Sequence, residues 1–178
     1  MRKLSNDELN RKSVKEFRAS DKSPFIIVLD NVRSLNNVGS IFRTADAFIV
    51  EAVYLCGITA TPPHREIHKT ALGATESVEW SYFDSAADAV RVLKSKGYTI
   101  VSVEQADEAV SLDRLIVEAG EKYALVFGHE IKGVSEEVVN LSDFCIEIPQ
   151  YGTKHSFNVA VSAGIVLWEL AGKIPGNK

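Results

Sequence analysis

The stretch Tyr123-Ala-Leu-Val-Phe-Gly128, with the polar loop His129-Glu-Ile-Lys-Gly-Val-Ser135 behind it, decides how this chain is read. An apolar run of strand length stops at a glycine, and the loop feeds a short helical piece that reaches Leu141. The pattern then repeats. Phe144-Cys-Ile-Glu-Ile148 reads as a second strand and Pro149-Gln-Tyr-Gly-Thr-Lys-His-Ser156 as a second polar loop, while Phe157 to Leu170 forms a long apolar helix. Strands that end in polar, glycine-bearing loops and lead to helices indicate an α/β sheet, in which ligands bind beyond the carboxyl ends of the strands.

Working outward, the same alternation fills the chain. Phe25-Ile-Ile-Val-Leu-Asp30 is a continuous apolar run, as a strand buried on both faces requires. From Asn37 the apolar residues Val38, Ile41, Phe42, Ala45 and Phe48 recur at helical spacing. Ala52 to Cys56, Ser77 to Trp80 and Tyr98 to Val103 read as further strands, and Asp84 caps a helix that ends near Gly97. Ser111 to Ala119 has no clear pattern. At the amino end Ser5-Asn-Asp-Glu8 fits a capping box and predicts a helix to about Arg18. The expectation is a mostly parallel sheet flanked by helices over residues 23–178, preceded by a basic helical arm over residues 1–22.

A chain of 178 residues with 46% hydrophobic and 25% charged residues suits one globular domain. The last helix carries Asn158 and Ser162 and falls short of the roughly 20 apolar residues of a membrane span. The first residues lack the apolar core of a signal peptide, and Cys56 and Cys145 stand alone in apolar strands as buried thiols. A cytoplasmic protein without a membrane partner is expected. The net charge of −4 is uneven: residues 1–22 hold seven basic and four acidic side chains, which leaves −7 for the rest. Such an arm is either a solvated tail or a source of phosphate contacts.

Several chemistries have no support. No phosphate loop ending in Gly-Lys-Ser/Thr occurs, no GxGxxG follows the first strand, and no serine-centred nucleophile elbow is present. His64 and His68 lie one helical turn apart, but Arg65 fills the place a metalloprotease gives to glutamate, so no metal is expected. What remains is a set of polar residues at loop ends: Asn37, Arg43, Glu130, Ser156 and Asn158. Such a set orients a ligand and does not suggest covalent catalysis. Arg43 is either a two-point phosphate grip or a surface arginine paired with Asp46 or Glu51. Ser156 and Asn158 also suit a helix cap, and Gly128 and Gly152 suit simple turns.

Three of these segments carry a family resemblance. Asp30-Asn-Val-Arg-Ser-Leu-Asn-Asn-Val-Gly-Ser-Ile-Phe-Arg-Thr-Ala-Asp-Ala47 resembles the first motif of the SpoU (TrmH-type) RNA ribose methyltransferases of the SPOUT superfamily. Phe127-Gly-His-Glu-Ile-Lys-Gly-Val-Ser135 resembles their second motif, and Ile148-Pro-Gln-Tyr-Gly-Thr-Lys-His-Ser-Phe-Asn-Val-Ala-Val161 their third. Ala71-Leu-Gly-Ala74 fits the region between. The order and spacing of the three match the family.

The resemblance implies a carboxyl-terminal segment threaded as a trefoil knot, a homodimer, and S-adenosylmethionine cupped by the second and third loops. By position it points to Gly128, Ile148, Gly152 and Phe157 around the cofactor, with Val103 and the loop after it nearby. The implied reaction is methyl transfer to a ribose 2′-hydroxyl of tRNA or rRNA. Arg43 would then be the phosphate clamp or the base, Asn37 and Glu130 would hold Arg43 and the ribose, and Ser156 and Asn158 would order the third loop. Three departures bear on substrate choice: His129 for the usual Asn, Gln150 for Met, and Phe157-Asn-Val-Ala160 for Leu-Asn-Val-Ser. A non-catalytic RNA- or cofactor-binding module on the same fold is the alternative, but such a module has no need of both Arg43 and Glu130.

Overall fold

The computed structural model describes residues 1–5 and 7–174. Seven strands form one parallel sheet in the order β3-β2-β1-β6-β4-β7-β5. They are β1 (Ser23–Asp30), β2 (Val50–Cys56), β3 (Glu79–Phe83), β4 (Tyr98–Val103), β5 (Val110–Ser111), β6 (Lys122–Phe127) and β7 (Phe144–Glu147). The central strands are apolar along their length because both faces are covered. On β1, Phe25, Ile27 and Leu29 enter one core and Ile26 and Val28 the other.

The first core is closed by α2 (Leu35–Ala47), α3 (Arg65–Ala71) and α7 (Val159–Lys173), and the second by α5 (Ala86–Ser95) and α6 (Glu136–Leu141). A four-residue helix, α4 (Ala74–Ser77), leads into β3. Short 3-10 turns occur at Asp7–Leu9 and Leu112–Arg114; the second, with the two-residue β5, accounts for the segment whose pattern was unreadable.

Three local expectations are corrected. The amino-terminal helix is only α1 (Val14–Ala19). Glu8 does reach back to the Ser5 N–H at 2.8 Å, but Asn10 turns left-handed (φ 44°) and the chain cannot continue as a helix. The working capping box is Ser13 with Glu16. The cap of α5 is Ser85, whose hydroxyl accepts from the Asp88 N–H at 3.1 Å, and not Asp84. Ser77 lies in α4, so β3 starts two residues later than expected.

Both thiols are buried, and burial with Asp30 and Asp88 nearby pushes Cys56 up to about 12, which leaves it unreactive. Among the described residues no helix is long and apolar enough to cross a membrane, and no group of three or more His, Cys, Asp or Glu side chains is placed to hold a metal.

Candidate active site

Strands β6, β4 and β7 stand side by side, and their carboxyl ends open into a cleft of about 440 Å³. Val103, Gly128 and Ile148 line it from the three strand ends, and Ser156, Phe157 and Asn158 close it from the third loop. The predicted cofactor residues thus converge, with one exception. Gly152 does not line the cleft, it is exposed, and a Cβ built on it meets nothing within 4 Å. No close approach requires a glycine there.

Gly128 is a different case. A Cβ on it would lie 2.0–2.3 Å from the backbone of Gly133 and Val134, so the second loop folds back onto the glycine that begins it. A side chain at this position would break the loop before it reached any ligand. His129 helps to make the same turn. Its Nδ1 accepts from the N–H of Ile131 at 3.0 Å and of Lys132 at 3.4 Å, the role an asparagine oxygen fills in an Asx-turn. The departure from the family's asparagine is therefore locally conservative.

Three distant segments meet at Glu130. Its carboxylate accepts from the backbone N–H of Arg33 (3.1 Å) and Ser34 (2.9 Å) and from Asn37 Nδ2 (3.1 Å). Asn37 Oδ1 accepts in turn from Asn158 Nδ2 at 3.1 Å, and Asn158 Oδ1 caps α7 through the N–H of Ala160 and Val161. One chain of hydrogen bonds thus links the three motif segments. Partial burial pushes the Glu130 carboxyl up, but the N–H groups of Arg33 and Ser34, its own N–H and the Asn37 amide outweigh it. They hold the group below the usual carboxylate range. Asn158 is a helix cap as well as a link, whereas Ser156 caps nothing and faces the cleft.

Arg43 is not part of this network. It lies six residues past Asn37, about 9 Å further along the helix axis, and points to another face of α2. There it lines a separate recess with residues of the amino-terminal arm and of α4, and the two hollows share no residue. Neither Asn37 nor Glu130 holds it, and no ion pair to Asp46 or Glu51 forms either.

Two side chains of the loop after Val103, the loop expected near the cofactor, tie the cleft together. Glu104 accepts from the Val134 N–H at 2.9 Å and so fastens the second loop to the end of β4. Gln105 donates through Nε2 to the His155 carbonyl at 2.8 Å and fastens the third loop. The signal for both was a polar pair directly after an apolar strand, the criterion that singled out the loops after β6 and β7.

A model of the SpoU rRNA Methylase family matches residues 24–168. The chain belongs to that family. A Staphylococcus saprophyticus protein assigned to the TrmH family of tRNA/rRNA methyltransferases is 31% identical over 157 residues, covering 88% of this chain and 62% of that one. The tRNA (guanosine(18)-2′-O)-methyltransferase of Aquifex aeolicus is 32% identical over 91% of this chain and 75% of its own. Among solved structures, an AdoMet-bound rRNA methyltransferase from Sinorhizobium meliloti aligns with a TM-score of 0.79 and 26% identity, over 88% of this chain and 59% of that one. This SpoU-family chain therefore spans only part of the length of these relatives.

Proposed function

We propose that this chain is an S-adenosylmethionine-dependent methyltransferase acting on a ribose 2′-hydroxyl of tRNA or rRNA. One observation carries the reading: the three motif segments meet through Glu130, Asn37 and Asn158 at the mouth of a cleft beyond three strand ends. The relatives' names supply the reaction class and the RNA substrates.

The cleft suits the cofactor. Its volume falls within the range of small-molecule sites, about 300–1,000 Å³. Val103, Phe127, Ile146 and Ile148 offer apolar walls for a purine ring, and the strand ends offer backbone groups. Glu104, Glu130 and Glu147 line it against a single lysine, Lys132, which favours a ligand that bears a sulfonium and an ammonium. When bound, S-adenosylmethionine supplies the methyl: its carbon–sulfur bond breaks as the bond to the ribose oxygen forms.

The chain's own groups position and stabilise. The Glu130 network fixes the loops that hold the cofactor. Arg43 grips a phosphate of the RNA and stabilises the developing alkoxide, and water or that phosphate accepts the hydroxyl proton. A guanidinium keeps its proton in nearly all protein settings, which argues against Arg43 as the base.

Arg43 and the cleft lie in separate hollows, so a second copy of the chain is inferred to bring one copy's Arg43 to the other's cleft. The outward face of α7 suits that contact. Val161 and Trp168 are 50% and 73% exposed, with half-buried Ile165 between them. Val159 and Val166 of the same helix are in the core instead. The carboxyl-terminal trefoil knot belongs to the same reading. Its support is that β7 lies beyond β4 as seen from β6, while α7 returns to α2.

The test is transfer of labelled methyl from S-adenosylmethionine to RNA taken from cells that lack this protein, with S-adenosylhomocysteine binding measured by calorimetry. The label should sit on a nucleotide whose 3′ linkage resists alkali, since a blocked 2′-oxygen cannot attack it. Cofactor binding without transfer to tRNA or rRNA would return the chain to the non-catalytic alternative.

A further inference from the structure

The arm is docked, not loose. Phe17 is 4% exposed and belongs to the first core, and Arg18 donates to the Glu76 carbonyl at 2.6 and 3.1 Å. The Ser13–Glu16 capping box then fixes how the chain enters α1. These contacts hold Arg11 and Lys12 in the lining of the recess of about 790 Å³ that Arg43 also lines. Among the described residues none of the three cations donates a hydrogen bond or forms an ion pair. Lys12 has an acidic neighbour in Glu16, whose Oε2 accepts from the Ser13 N–H and hydroxyl, but the two do not form an ion pair. Two carboxylates share the recess. Asp46 is engaged by the Ser77 hydroxyl, and Glu76 stands on the exposed ridge toward the next hollow.

We propose that Arg11 and Lys12 form, with Arg43, a seat for one or two phosphodiesters of the RNA backbone beside the target ribose. The inference rests on the methyltransferase reading above. The chemistry favours backbone over base. The one aromatic ring of the recess, Phe17, is buried, so no face is offered for stacking, whereas three unpaired cations on long side chains converge on one hollow. Contacts of this kind position RNA and carry no sequence information, so the seat anchors whichever RNA the rest of the surface selects.

The test compares wild type with the double variant Arg11→Gln/Lys12→Gln. The probes are unfractionated tRNA and rRNA from cells that lack this protein, with affinity followed against salt. Each lost phosphate contact lowers the slope of log affinity against log salt by roughly 0.7–0.9, so a fall of about 1–2 is expected. The RNA KM should rise and kcat hold, with S-adenosylhomocysteine affinity and melting temperature unchanged. The Arg11→Lys/Lys12→Arg exchange should restore the slope. An unchanged slope and KM in the double variant overturn the seat. If wild type binds cofactor but methylates neither RNA, the reading beneath it fails instead, and the seat with it.

Discussion

The cleft and the recess beside α2 are built in opposite ways. The cleft at the ends of β4, β6 and β7 is acidic and largely bonded to itself: Glu130, Asn37, Asn158, Glu104 and Gln105 all have partners within the chain. The recess beside α2 is lined by three cations that, among the described residues, make no hydrogen bond or ion pair. A hollow whose polar groups satisfy one another is shaped before its ligand arrives and loses little order on binding. A hollow of unpaired long cations keeps water on its charges until a polyanion displaces it. The first suits a small cationic cofactor and the second a nucleic acid backbone. One chain holds both halves, but apart.

The separation is tested most severely by breaking the contact proposed to rejoin them. Trp168→Glu puts a charge on the exposed face of α7 and should give a monomeric mass by light scattering. Turnover should then fall by at least as much as on loss of Arg43, with the cofactor still bound. A dimer that survives with full activity would remove α7 from the interface.

Arg43→Lys comes next. It keeps the charge but loses the planar fork, and turnover should drop on the order of 10²–10³ in single-turnover assays, about 2.7–4 kcal/mol. Cofactor affinity should stay within about twofold, because Arg43 lines no part of its own chain's cleft and its proposed partner is the RNA phosphate. A lysine variant that recovers activity at alkaline pH would point instead to a titrating base.

Gly128→Val strikes the other half. The new side chain meets the backbone of Gly133 and Val134, so stability should fall by about 1–3 kcal/mol in urea and cofactor binding should vanish together with it. Wild-type stability with binding alone lost would mean that the loop yields and the clash is with the ligand.

The smallest effect sharpens the comparison through pH. Glu130→Gln keeps the shape but loses charge-assisted bonds at an exposed site, for about 1 kcal/mol or less. The folded Glu130 titrates below the unfolded value of about 4.3, so its contribution is complete above that range. It disappears as pH falls through the lowered folded value. The stability gap between wild type and variant should be flat from about pH 7 to 5 and close in more acid solution. A gap that widens as pH falls would contradict the hydrogen bonds described.

Much of the fold was legible because the signals are local. Tyr98–Val103 reads as a strand at its observed bounds, and β1, β6 and β7 fall within two residues of theirs. The arm was misread because Ser5-Asn-Asp-Glu8 and Ser13-Val-Lys-Glu16 offer the same cap, and only the left-handed Asn10 decides between them. The site was legible residue by residue but not in its grouping. That Glu130 binds Asn37 and that Arg43 faces elsewhere depends on how α2 is rotated against β6, which long-range packing sets and periodicity does not. Gly152 was overvalued because a glycine in a loop looks the same whether or not anything approaches it.

The bond between Asn37 and Asn158 spans 121 residues of chain, and Asn158 is synthesised last of the three linked side chains. A protein that emerges residue by residue can lay down β1, β2 and β6 and bring Glu130 to Asn37 early. The third loop is fastened only when its own His155 reaches Gln105 and the following Asn158 reaches Asn37. Translation therefore controls when the cleft is complete. A chain released before the last helix lacks both the Asn37–Asn158 link and the side chains of α7 that close the first core, so neither the cleft nor that core is complete.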